Sequence, residues 1–184
     1  MLNRILIHGL IAGLIVGVPL FALTVLVGGP LPEPWGVVLG YLTMLIALSV
    51  VFIAIKRRRD TELGGVIRFW PAFGLGLAIS LVASLCYVIA WEAALAVTGI
   101  DFAGDYARML LEQQRTAGAT AAELAKLSAD LEGFRRQYAN PLYRIPMTLT
   151  EIFPVGVLVS LVSAALLRNS RFMPAAAAAK PDVA

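Results

Sequence analysis

Four stretches of this chain are each apolar for long enough to cross a bilayer, and they constrain its fold more than any motif does. A hydrocarbon core about 30 Å thick takes roughly 20 helical residues. Only helices and closed barrels satisfy their backbone groups inside it. The stretches cover residues 5–27, 35–55, 69–97 and 146–167. The third is longer than it needs to be and is expected to tilt or protrude. Composition agrees with a membrane class. The chain of 184 residues is 59% hydrophobic and only 15% charged, with mean hydropathy +0.82. Soluble domains carry about 25% charge.

Charge then sets the threading. Arg4 precedes the first span, Lys56, Arg57, Arg58, Arg59 and Arg68 lie between the second and third, and Arg168, Arg171 and Lys180 follow the fourth. With four spans, all nine fall on one side, whereas the loop 28–34 has no Lys or Arg. Positive residues favour the cytoplasm, so both termini are expected there. The first span is longer than a signal core and no A-x-A site follows it, so it is expected to be retained. The pI of about 9.3 does not point to nucleic acid, because the densest basic run abuts a span. That run, Lys56 to Arg59, is read as a lipid-facing basic loop able to hold anionic lipid.

Residues 99–144 would then lie outside. Six basic and six acidic residues leave this segment without net charge. It reads as an amphipathic helical hairpin, with one helix from about Asp101 to Thr116 and a break at Gly118. The second helix opens on "TAAE", where Thr120 and Glu123 can form a capping box. Leu124, Leu127, Leu131 and Phe134 follow at helical spacing as one apolar stripe. Pro141 and Pro146 are expected to end that helix before the fourth span. The fold expected is all-α: one four-helix domain over residues 1–168, with a disordered cytoplasmic tail over 169–184. The "LPEPW" loop and the alanine-rich tail suggest no function.

Gly9, Gly13 and Gly17 fall on one face of the first span, Gly36 and Gly40 on the second, and Ser80 and Ser84 on the third. Small residues let helix backbones approach closely. A homo-oligomer could use them, but packing inside one bundle is preferred because all four spans carry such residues. Pro19 and Pro154 free the carbonyls of Ile15 and Thr150, which usually only bends a helix. Tyr87 and Trp91 share the small-residue face of the third span and are expected to point inward. Trp35 and Trp70 are placed at span ends as interfacial anchors. The single histidine, His8, is read as interfacial, and the single cysteine, Cys86, excludes an internal disulfide.

Glu92 and Glu151 are the two acids inside spans, and intramembrane acids suggest function by default. Counted from Gly99 and Pro146, both lie about 7–10 Å down their helices. At one depth they could share a proton or hold a cation. The alternative is a structural or interfacial role, with Glu151 marking the outer end of the fourth span and meeting Glu92 or one of Arg108, Arg115, Arg135, Arg136 and Arg144. The helical wheel favours that alternative, because both acids lie off the small-residue faces. The residues offer no phosphate loop, no metal-ligand spacing and no nucleophile–base set, so no metal, cofactor or enzymatic activity is expected.

The runs "GYLTMLIALSVVFIAIKRRRD", "GGVIRFWPAFGLGLAISLVASLCYVIAWE" and "YANPLYRIPMTLTEIFPVGVLVSLVSAALL" resemble the bacterial membrane family called domain of unknown function 4199. Gly64–Gly65, Tyr87 with Trp91–Glu92, and Glu151 with Pro154–Val155–Gly156 carry the likeness. The resemblance implies a four-helix integral membrane protein of the bacterial inner membrane and no assigned activity. The expected role is a non-enzymatic membrane component or scaffold. Its hairpin would dock a protein partner or cap the bundle. The competing expectation is a small proton- or cation-coupled carrier using Glu92 and Glu151.

Overall fold

The computed structural model describes residues 1–28 and 35–174. Its helices are α1 (Leu2–Val27), α2 (Trp35–Glu62), α3 (Phe69–Thr98), α4 (Phe102–Thr116), α5 (Ala121–Tyr138) and α6 (Pro141–Leu167), and the described residues contain no strand. Helices α1, α2, α3 and α6 are long and apolar enough to cross a membrane. The long α3 is the central one and packs on α1, α2 and α6. Leu14, Ile89 and Leu158 are exposed, as are apolar residues all round the bundle. Such a surface suits lipid, where outward apolar groups need no cover.

Small residues bring the backbones together inside the bundle. A Cβ added at Gly9 would lie 2.5 Å from the Cβ of Val82, and one at Gly13 would lie 2.5 Å from the Cβ of Cys86. Gly17 faces Ala90 in the same row. The glycine face of α1 is therefore filled by α3. On the other side of α3, Gly76 faces Ser160 and Gly156 faces Ser80. The Ser80 hydroxyl lies 3.2 Å from that of Ser160 and donates to the Gly156 carbonyl at 3.3 Å. Ser84 turns back to the Ser80 carbonyl instead.

Three expectations need correction. Lys56 to Arg59 belong to the last turns of α2, which continues to Glu62, rather than to a loop. Arg59 does not face lipid: it is fully buried and donates to the carbonyls of Phe172 and Met173 at 2.9 and 2.5 Å. The chain beyond Leu167 is consequently not all tail. Residues 169–174 turn back to supply those acceptors, and Phe172 packs on the core. The expected disorder of residues 175–184 and the proline-rich loop 29–34 lie outside the described residues. Finally, Pro141 starts α6 rather than ending the helix before it. Asn140 caps α6 by accepting from the Leu142 N–H, and proline suits the first helical position, whose N–H has no partner. Pro146 lies inside α6.

The α4–α5 hairpin forms as its caps dictate. Asp101 accepts from the Gly104 N–H, and Thr120 and Glu123 make the reciprocal capping box. Gly118 takes a positive φ of 87° in the turn between the helices. α5 packs on α4 and on the start of α6, with Leu131 buried.

Candidate functional site

The two acids part company once α6 starts at Pro141. Glu92 is six residues from the end of α3 and Arg144 is three from the start of α6, about 9 and 4.5 Å along their helices. Glu151 lies ten residues in, about 15 Å. The matched depth expected for the two carboxylates does not hold, because counting from Pro146 shortened α6 by more than a turn.

Glu92 finds Arg144. The guanidinium is bidentate, with Nε 2.7 Å from Oε1 and Nη2 2.5 Å from Oε2. Its Nη1 donates to the Tyr138 carbonyl at 3.3 Å, and its Cζ lies 5.7 Å from the Tyr138 ring centroid. This group ties α3, α5 and α6 together. Both charges are largely shielded, with side chains 27% and 15% exposed. A fork-shaped pair of this kind is strong and fixes geometry. It leaves Glu92 no free charge with which to work.

Glu151 meets neither an arginine nor Glu92. Its one hydrogen bond among the described residues is from the Tyr87 hydroxyl to Oε2, at 3.3 Å. That is long for an O–H···O bond, and an ionised carboxylate can accept about four. Glu151 lines a cavity of about 360 Å³ walled by α1, α2 and α3, with residues of α4 and α5 at its hairpin end. Gly36, Gly40 and Thr43 of α2 and Pro19, Leu23 and Thr24 of α1 contribute walls. Gly40 therefore does not serve helix packing as expected. It is exposed, and a Cβ there would meet nothing within 4 Å. Gly36 too contributes to the cavity wall.

The roof is aromatic. Trp91 donates its indole N–H to the Tyr138 hydroxyl at 2.8 Å. Phe102 meets the Trp91 ring edge-on at 4.9 Å and stacks with Tyr106 at 6.3 Å. Trp91, Phe102, Tyr106 and Tyr138 all line the cavity. Burial raises the Tyr138 phenol to about 12, so it stays protonated at neutral pH. Glu151 is then the only Asp, Glu, Lys, Arg or His among the described residues that line the cavity.

Sequence reasoning reached Tyr87, Trp91, Glu92 and Glu151 but missed Phe102, Tyr106 and Tyr138. Their signal was weak: aromatic residues at i, i+4 on α4 and at the last position of α5, where an apolar stripe was already explained by α4. The remaining polar singletons lie elsewhere. His8 bonds the Arg4 carbonyl at the far end of α1.

The family model "Protein of unknown function (DUF4199)" matches residues 8–169, which include every residue of this site. No curated protein and no solved structure matches the chain.

Proposed function

The chain belongs to the DUF4199 family of proteins of unknown function, and from that premise we propose a non-enzymatic component of the bacterial inner membrane that binds a small ligand beneath its hairpin. Both termini face the cytoplasm and the α4–α5 hairpin lies on the opposite side. The threading is supported by charge. Arg4 bonds Glu62, and Arg59 holds residues 172–173, so the basic ends of α1, α2 and α6 meet at one end of the bundle. Basic ends stay inside. Of the basic run, Arg57 is exposed and faces anionic headgroups, whereas Lys56 and Arg58 pair with Asp60 and Glu62.

One observation carries the binding reading. Glu151 is a carboxylate with a single long hydrogen bond, and it lines a cavity large enough for a small molecule. Glu151 is open to that cavity rather than packed away, and a scaffold has no need of such a group within an apolar span, where an unsatisfied polar group costs several kcal/mol. The hairpin supports the same reading. Its stripe is occupied by α4 and its aromatic end closes the cavity, so it acts as a cap before it acts as a docking surface.

The test is chemical access. Thr43 lines the cavity. In a Cys86→Ser background, Thr43→Cys should react with a small methanethiosulfonate added from the outer side. A cysteine at Leu158, exposed on the lipid face of α6, should not. An inert Thr43→Cys would mean that the cavity is sealed and the binding reading is wrong. A second reading, a carrier moving a proton or cation through Glu151, is favoured by Pro19, which lines the same cavity and leaves the Ile15 carbonyl free. It would no longer involve Glu92.

A further inference from the structure

The cavity's chemistry narrows its ligand. Resting on the binding reading above, we propose that the ligand is a small organic cation, a protonated or quaternary amine on an apolar body, with Glu151 as its counter-ion. The first observation is charge. Glu151 is the one acidic or basic lining residue among those described, and Arg144 of the same helix is committed to Glu92 and does not line the cavity. An anion would find no positive group, and a neutral apolar molecule would leave a carboxylate unpaired, at a cost of several kcal/mol.

The second observation is the aromatic roof. Trp91, Tyr106 and Tyr138 line the same space as the carboxylate. Aromatic faces attract cations, and cages of such rings recognise alkylammonium groups. The Trp91–Tyr138 hydrogen bond and the Phe102 contact fix these rings in place, so little side-chain freedom is lost on binding.

The third observation excludes a bare metal ion. Calcium takes six to eight oxygens and magnesium a tight octahedron. The cavity offers one carboxylate, three phenols and two threonine hydroxyls that bond their own helix or lie on its wall. No group of three or more metal-ligating residues occurs among the described residues. A volume of about 360 Å³ instead suits an amine with a ring or short alkyl body. Gly36 and Gly40 supply that room, because any larger residue there would extend into it.

The test uses benzyltrimethylammonium and its uncharged carbon analogue, neopentylbenzene, on full-length protein in lipid nanodiscs. Two readouts report binding: protection of Thr43→Cys from methanethiosulfonate, and the emission of Trp91 in a Trp35→Phe/Trp70→Phe background. The cation should protect and shift the emission, and the neutral analogue should do so at least tenfold more weakly. Glu151→Gln should weaken cation binding at least tenfold, whereas Glu151→Asp, which keeps the charge, should recover most of it. Equal binding of both probes, or undiminished cation binding in Glu151→Gln, would overturn the proposal. If Thr43→Cys reacts but neither readout responds to the cation, the ligand class is wrong and the open cavity stands. If Thr43→Cys is inert, the cavity is sealed, and the binding reading and this proposal fall together.

Discussion

Arg144 and Glu92 show how one side chain settles what a sequence leaves open. Five arginines near the hairpin were equally placed to neutralise an acid. The one that does so is separated from Glu92 by 52 residues and belongs to α6 itself. No periodicity reports such a pairing, because it depends on where α6 begins and on how α3 is turned. Removing one partner of a shielded charged pair strands the other. Arg144→Ala and Glu92→Gln should each lower stability by about 2 kcal/mol, in keeping with charged hydrogen bonds. The double variant should cost clearly less than the two together, which unfolding in detergent would reveal; additive losses would mean the pair contributes nothing. Glycines give a second contrast at this scale. Gly13→Leu should prevent α1 from seating on α3, because even a Cβ there meets Cys86 at 2.5 Å. Gly40→Ala should be neutral or stabilising by up to about 1 kcal/mol, the helix preference of alanine over glycine, as judged by melting temperature.

Elements differ in how much of them the sequence discloses. The four spans were legible because hydropathy and length leave a membrane helix few alternatives, and α1 through α3 begin or end within a few residues of the expected limits. The α5 start was legible because a capping box is a local device, complete within four residues. The α6 start was not, because proline at a helix's first turn and proline after a helix look alike until Asn140 is seen to cap. The aromatic roof was not legible either, since it needs α3, α4 and α5 in place together. The hairpin's own hold on the bundle is open to measurement. The Gly104 N–H, with Arg135 at 2.6 Å from the carboxylate, keeps the Asp101 carboxyl below the usual range, against the opposing effect of burial. A depressed folded-state value contributes stability above the unfolded value near 4, and that contribution is lost as pH falls through the folded value. Amide protection in the first turn of α4 should therefore fall as the pH drops below about 4 in the wild type. It should be lower but flat across that range in Asp101→Asn. Equal pH dependence in both would show that Asp101 does not anchor α4. Leu131→Asp, which puts a charge into the α4–α5 contact, should lower protection throughout the hairpin and leave α3 unchanged.

For the whole molecule, one end of the bundle is tied by charge and the other is capped by aromatics, and the two ends do different work. At the cap end, the groups that sequence reasoning joined are divided: Glu92 ties α3 to α6 through Arg144, and Glu151 is left to face the cavity. At the basic end, Arg59 looked like one more orientation signal because local sequence cannot say that residues 169–174 return to it across more than 100 positions. That closure predicts where the chain can be shortened. A chain ending after Pro174 keeps both carbonyl acceptors and the Phe172 contact, and should melt as the full chain does. A chain ending after Arg168 loses them and leaves a buried guanidinium with only Asp60 as partner. Stranding a buried charge costs about 3–5 kcal/mol, so its melting temperature in detergent should drop by several degrees or more. Arg59→Met should behave oppositely in the two chains. In the longer one it removes satisfied hydrogen bonds and should destabilise. In the shorter one it replaces a guanidinium that has lost both carbonyl acceptors with an apolar side chain and should restore part of the loss. If Arg59→Met destabilises both chains alike, the return of residues 169–174 is not what holds this end of the bundle closed.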